Sequence, residues 1–241
     1  MLKFSPMKKE IHRADTRGHS DLGWLQSYFS FSFAEYRNPE RTRFGLLRVV
    51  NDDTIAPGKG FGTHPHDNME IVTVMLDGAL AHKDSMGNEF IIKKGEIQRM
   101  SAGTGLTHSE FNASDSESAC LLQCWVFTKE KDIPPSYEQK KFDLEARNNR
   151  FQLAVSPDGA EGSLSIHQEA YFSLVDLSLP KEYQWHQPGH GVFFFVIEGS
   201  AEIAGETLGK RDAIAISDIT SVTITPKDSA ELLVIEVPMR K

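Results

Sequence analysis

Cysteine, excess positive charge, long apolar runs and helical periodicity are all scarce in this chain, and each scarcity removes a class of protein. Only two cysteines, Cys120 and Cys124, occur in 241 residues, which excludes a disulfide-built secreted scaffold. Their spacing is not that of a C-x-x-C redox pair. ACLLQCWVF reads as a buried strand with both thiols on one face, packed as inert small groups. The net charge of −8 gives no basic field for nucleic acid or an anionic membrane. Lys129, Lys131, Lys140, Lys141, Arg147 and Arg150 read as a solvated connection rather than a DNA patch. The longest apolar run, residues 192–197, is far short of the roughly 20 residues needed to span a bilayer. Residues 1–15 contain no apolar stretch of the secretory type, so a cytoplasmic location is expected.

Short apolar, β-branched segments are abundant. Residues 43–50, 70–76, 89–92, 121–127, 174–179, 192–197, 213–216, 222–224 and 231–237 read as strands. Asp77-Gly78, Met86-Gly87-Asn88, Lys94-Gly95, Glu198-Gly199 and Ala204-Gly205 read as turns between them. Residues 143–149 allow one short helical turn. Regular short strands with turns between them indicate an all-β sandwich or barrel.

Residues 131–150 are polar, contain Pro134-Pro135, and separate two strand-rich halves. The expected division is a first domain over 1–130, a linker over 131–150 and a second domain over 151–241. EIVTVMLDGALAHKDSMGNEFIIKKGEIQRMSAG and VFFFVIEGSAEIAGETLGKRDAIAIS share one order: strand, acidic-Gly turn, strand, tight turn, strand, Gly, strand. This weak internal repeat points to a duplicated barrel.

Two motifs in the first half carry the chemistry. GKGFGTHPHDNMEI contains His64 and His66, and SAGTGLTHSEFN contains His108 and Glu110. Each pair is spaced i, i+2, so on a strand both side chains share a face. Three imidazoles and a carboxylate from two strands can hold one transition metal with open positions, whereas a closed zinc site more often uses thiolates. Glu70 competes for the carboxylate role, since it has the strand parity of His64 and His66. His12, His19, His82 and His167 lack partners at ligand spacing and read as surface or locally hydrogen-bonded groups. Phe44, Phe61, Met100 and Trp125 fit either a cavity wall or ordinary core. Gly58, Gly60 and Gly62 read chiefly as turn residues.

Gly58, His64, His66, Glu70 and Gly78 match the first cupin motif, with one extra residue before the last glycine. Gly95, Gly103, His108 and Asn112 resemble the second, with Ser101 where proline is usual and a longer spacing to the histidine. RGHSDLGWLQSYFSFSFAEYRNP, LRVVNDDTIAPGKGFGTHPHDNMEI, DSMGNEFIIKKGEIQRMSAGTGLTHSEFN and PPSYEQKKF narrow the resemblance to bacterial pirin-like bicupins of the quercetin 2,3-dioxygenase kind.

That resemblance implies two cupin β-barrels and one metal in the first, held by His64, His66, His108 and Glu110. Fe(II) is the expected ion, and Mn, Ni, Cu and Zn suit the same donors. Glu70 then orients an imidazole or plays a structural part. His186 and His190 precede the strand at 192–197, yet Trp185 and Gln187 occupy the positions equivalent to the ligands. The second cupin is therefore expected to have lost its metal. The implied activity is a dioxygenase that uses O2 to open a flavonol-like ring, with Glu110 taking the hydroxyl proton. Two other readings share these ligands: a redox-sensing pirin acting through a protein partner, and a cupin isomerase. No nucleic-acid or membrane partner is expected, and the two cupins would pack together within a monomer.

Overall fold

The computed structural model describes residues 6–240. After β1 (Lys8–His12), the first half contributes β2 (Gly18–Asp21), β3 (Leu25–Phe29), β4 (Leu47–Ile55), β5 (Gly60–His66), β6 (Met69–Asp77), β7 (Ala79–Asp84), β8 (Glu89–Lys93), β9 (Glu96–Ser101), β10 (Leu106–Asn112), β11 (Ala119–Phe127) and β12 (Ser136–Lys141). The second contributes β13 (Gln152–Ser156), β14 (Leu164–Ser165), β15 (Tyr171–Leu177), β16 (Lys181–Gln184), β17 (His190–Ile203), β18 (Glu206–Leu208), β19 (Ala213–Ser217) and β20 (Ser221–Pro238). Two sheets wall the first barrel: a seven-stranded one in the order β12-β9-β6-β11-β4-β3-β2 and a four-stranded one in the order β5-β10-β7-β8. The second barrel is built on the path β1-β19-β17-β20-β15-β13-β14, with β16 and β18 added to the long strands. The all-β bicupin architecture is as expected.

The two barrels share a core. Val50, Val72, Leu122 and Cys124 face away from the first barrel and join Phe172, Phe193, Phe195, Leu233 and Ile235 of the second. The alternate residues of the same strands, Ile71, Met75 and Leu121, face inward. Strands β6 and β11 are thus buried on both faces, which is why they read as apolar runs without alternation. Burial pushes the Cys124 thiol far up, so it stays protonated and inert.

Several boundaries differ from expectation. The strand expected at 43–50 begins at Leu47, because Phe44 and Leu47 close a turn through reciprocal backbone hydrogen bonds of 2.9 Å. The segments at 222–224 and 231–237 belong to one strand, β20, which stays continuous past bulges in its partner β17. At Gly199, in the bulge, a Cβ would lie 2.1 Å from the Ser229 carbonyl.

The expected linker at 131–150 is not a free connection. Ser136–Lys141 forms β12 along β9, from Ser136↔Ser101 to Lys141↔Glu96. Its polarity reflects an edge position, where side chains pair at the rim: Arg99 bonds Glu138, and Gln139 Nε2 donates to the Ile91 carbonyl at 3.0 Å. At the other end of the chain, β1 pairs with β19 of the second barrel. The division at 130/131 therefore does not follow the hydrogen bonding at either end of the first half.

Candidate metal centre

Strands β5 and β10 lie antiparallel with His64 opposite His108 and His66 opposite Leu106. That register brings the three imidazoles together. Ring centroids are 4.4 Å apart for His64–His108 and 4.9 Å for both His64–His66 and His66–His108. Their ligand nitrogens all lie within 4.8 Å of one another. The register needs Gly60, since a Cβ there would sit 2.2 Å from the Glu110 carbonyl oxygen. Gly60 thus serves a close strand approach rather than a turn.

The imidazoles are arranged as metal donors. His64 Nδ1 lies 2.9 Å from the Gly62 carbonyl and donates to it, which leaves the Nε2 lone pair free. Burial, followed by the neighbouring His64, holds His66 down to about 4. His108 is held down to about 2 by burial and then by His64, His66 and His82. Both rings are therefore neutral at neutral pH and can offer lone pairs. Among the described residues, the buried His108 Nε2 has no hydrogen-bond partner, an orphan that a metal would satisfy.

Glu110 is 2 % exposed. Its Oε2 accepts from Gln123 Nε2 at 3.0 Å, and Gln123 Oε1 accepts from Trp125 Nε1 at 3.1 Å. Its Oε1 has no hydrogen-bond partner among the described residues. Burial pushes the carboxyl up to about 7 against the lowering bond from Gln123, and Asp53 pushes it up further. The four residues expected as ligands do not form one set. Glu110 clusters within 4.8 Å with His108 and His82, while His64, His66 and His108 make a separate trio. A bulge between His108 and Glu110 breaks the register with β5 and separates Glu110 from the other two.

His82 lacks a partner at ligand spacing in the sequence, yet the fold brings it to the cluster. The antiparallel pairing of β7 with β10 places it opposite Glu110, with Asp84 opposite His108. His82 is buried, its Nε2 lies 3.2 Å from Asp84 Oδ2, and its Nδ1 lies 3.4 Å from His108 Nδ1. The consistent proton assignment has His108 Nδ1–H donating to His82 and His82 Nε2–H donating to Asp84, which again frees His108 Nε2. The available signal was His82 and Asp84 at i, i+2, a same-face pair on a strand. A His82→Phe substitution is expected to weaken metal binding about 10- to 100-fold while the melting profile of the chelated protein changes little. Competition against a colorimetric chelator would measure the affinity.

Glu70 does not face the cavity. A turn at Asn68, with φ of 45°, puts β5 and β6 in different sheets and cancels the parity argument. The fully buried Glu70 accepts from Ser101 Oγ at 2.7 Å and from the His167 backbone N–H at 3.3 Å, joining the two halves. His12 is buried between Phe31 and Phe193, 3.1 Å from Glu10. His19 stacks on Tyr28. His186 Nδ1 and His190 Nδ1 lie 2.9 and 3.1 Å from the Glu236 carboxylate.

Two hollows meet at His64, His66 and Trp125. A vestibule of about 890 Å³ is lined by His64, His66, Met69, Thr107 and Trp125. An inner chamber of about 260 Å³ is walled by Leu25, Phe29, Phe33, Phe61, Trp125 and Glu110, and it also reaches His64 and His66. Of the expected cavity aromatics, Phe61 and Trp125 line the chamber, Phe44 lies in the shared core and Met100 packs with Ile71 and Leu106.

Two fused β-barrels, with an imidazole cluster opening on a chamber in the first, define a bicupin. The pirin family pattern matches residues 10–126, and a quercetinase C-terminal cupin domain matches residues 153–237. The chain is 42% identical over 231 residues to a quercetin 2,3-dioxygenase of Escherichia coli K12, spanning 95% of this chain and 98% of that one. The crystal structure of YhhW from Escherichia coli superposes with a TM-score of 0.92 at 39% identity, over 97% of this chain and 100% of that chain. The nickel(II) complex of the same bacterial pirin gives a TM-score of 0.91 at 39% identity, over 96% and 99%. The chain belongs to the pirin-like bicupins of bacteria.

Proposed function

We propose that this protein is a metal-dependent dioxygenase that uses O2 to open the heterocyclic ring of a flavonol or similar polyhydroxylated aromatic. His64, His66 and His108 would hold its metal, with Glu110, which clusters with His108, beside it. The observation that carries the proposal is the cluster of His64, His66 and His108, two of which line a chamber walled by aromatic rings. The name of the Escherichia coli relative and the nickel ion in the related pirin structure support it. The donor set suits a divalent first-row ion, with Fe(II) the first choice.

Bound there, the metal supplies Lewis-acid polarisation of a substrate oxygen and a fixed meeting point for the reactants. The protein's own residues do the rest. Gln123 holds Glu110 Oε2, and the unpartnered Oε1 takes the proton of the substrate hydroxyl. Phe33, Phe61 and Trp125 offer ring faces and edges to a flat substrate and keep water from it. His82 and Asp84 fix the orientation of His108. The reaction consumes one flavonol and one O2 and yields a ring-opened ester and carbon monoxide.

Chelated protein, reloaded separately with Fe(II), Mn, Ni, Cu or Zn, should consume quercetin and release carbon monoxide only when loaded with a competent metal. Equal turnover by the chelated protein would overturn the proposal, as would firm metal binding with no loss of any flavonol.

A further inference from the structure

The inner chamber carries polar groups that the proposed chemistry does not use. Asn51 and Asp53 stand at i, i+2 on β4 and face inward, opposite Gln123 and Leu121 of β11. On the other side, β3 places Phe29 opposite Asn51 and Ser27 opposite Asp53. Ser27 Oγ donates to Asp53 Oδ1. Asn51 is 3% exposed and Asp53 4%. Both line the chamber that His64, His66 and Glu110 also line.

The rungs of the sheet order these groups by depth. Trp125, whose ring centroid lies 4.9 Å from that of His66, marks the metal end. Gln123 and Asn51 form the next inward rung, and Leu121 and Asp53 the one beyond it. From Trp125 to Leu121 is roughly 13 Å of strand. Past Asp53 the wall is apolar, with Leu25 opposite Ile55.

Such an arrangement is costly unless a ligand uses it. Among the described residues, the buried Asn51 Oδ1 has no hydrogen-bond partner, and unsatisfied buried acceptors are rare in folded proteins. A buried carboxylate answered by one serine is also unfavourable in an apolar wall. Burial accordingly pushes Asp53 up to about 7, with the Ser27 bond opposing. Both groups can accept hydrogen bonds from a molecule in the chamber.

We infer that Asp53, Asn51 and Ser27 form a second subsite, which accepts hydrogen bonds from hydroxyl groups on the end of the substrate remote from the metal. This rests on the proposed function, because it concerns the same chamber, and it narrows the substrate class. The molecule is flat and aromatic, is hydroxylated at both ends, and is held at one end by the metal and at the other by Asp53.

Binding to zinc-loaded protein with O2 excluded tests the inference without turnover. Quercetin is compared with 3-hydroxyflavone, which keeps the metal-facing hydroxyl and carbonyl but lacks the remote hydroxyls. Affinities come from the shift in flavonol absorption and the quenching of tryptophan fluorescence. The wild type should bind quercetin about 10- to 100-fold more tightly, as expected for a charge-assisted hydrogen bond. In Asp53→Leu that ratio should collapse towards unity through loss of quercetin affinity, with 3-hydroxyflavone little changed. Asp53→Asn, which keeps a carbonyl acceptor, should retain part of the preference. General damage to the fold would weaken both ligands and leave the ratio in place. A wild-type ratio near unity, or one unmoved by Asp53→Leu and Asn51→Leu, overturns the subsite and leaves the dioxygenase proposal standing. Failure of the loaded wild type to bind either flavonol overturns both.

Discussion

Replacing His64 and His108 together by alanine is expected to abolish metal binding and lower quercetin turnover at least about 10³-fold, the several kcal/mol of charge stabilisation that a bound metal supplies. The two residues face each other across β5 and β10, with ring centroids 4.4 Å apart. Removing both leaves His66 as the only imidazole of the trio. Glu110 and His82 would remain nearby, but two nitrogens and one carboxylate spread over two clusters cannot enclose an ion. The fold should survive, because the metal-free cluster adds little to stability and His64 is only half-buried. Metal content by elemental analysis and carbon monoxide release by gas chromatography provide the readouts. Turnover at the wild-type level in a metal-free double variant would refute the assignment.

The second large effect is expected far from that centre, at Glu236. This fully buried carboxylate accepts from Tyr183 Oη at 3.1 Å, from the backbone N–H groups of His186 and Gln187 at 2.9 and 3.0 Å, and from both histidine rings. Burial alone would raise its pKa, yet hydrogen bonds led by those from His186 and His190 hold it at about 2 against an ordinary 4.5. Glu236→Ala strands every one of those donors and is expected to cost about 3–5 kcal/mol in urea denaturation. The pH dependence follows from the lowered value. The stabilisation is complete above the unfolded-state value near 4.5 and is lost as pH falls towards 2, amounting to about 3 kcal/mol. Wild-type stability measured from pH 6 to pH 2.5 should fall more steeply than that of Glu236→Gln, whose side chain does not titrate. Parallel curves would show that Glu236 contributes no linkage.

The sequence exposed the site unevenly, for physical reasons. His64, His66, His108 and Glu110 were legible because each pair lies on one strand, where the two-residue period fixes the face. His82 was not, because its contact with His108 depends on the register between β7 and β10. The parity of Glu70 with His64 and His66 does not place it in the cavity, because parity holds only within a strand and Asn68 turns the chain from one sheet to another before Glu70 is reached. Asn51 and Asp53 stand in a run, RVVNDDTI, that reads as the end of an apolar strand. Only the closing of β3 and β11 around it shows that the two polar side chains face the chamber.

By itself, the sequence determined the all-β class, the duplicated barrel and the strands that carry the imidazoles, because strand period, turn residues and motif spacing are local properties of the chain. Tertiary structure alone decided that β1 crosses to the second barrel, that β12 extends the first, and that Glu110 clusters with His82 rather than with all three histidines. Those outcomes depend on strand register, bulges and sheet-to-sheet packing, which join residues far apart in the chain and leave no periodic trace within it.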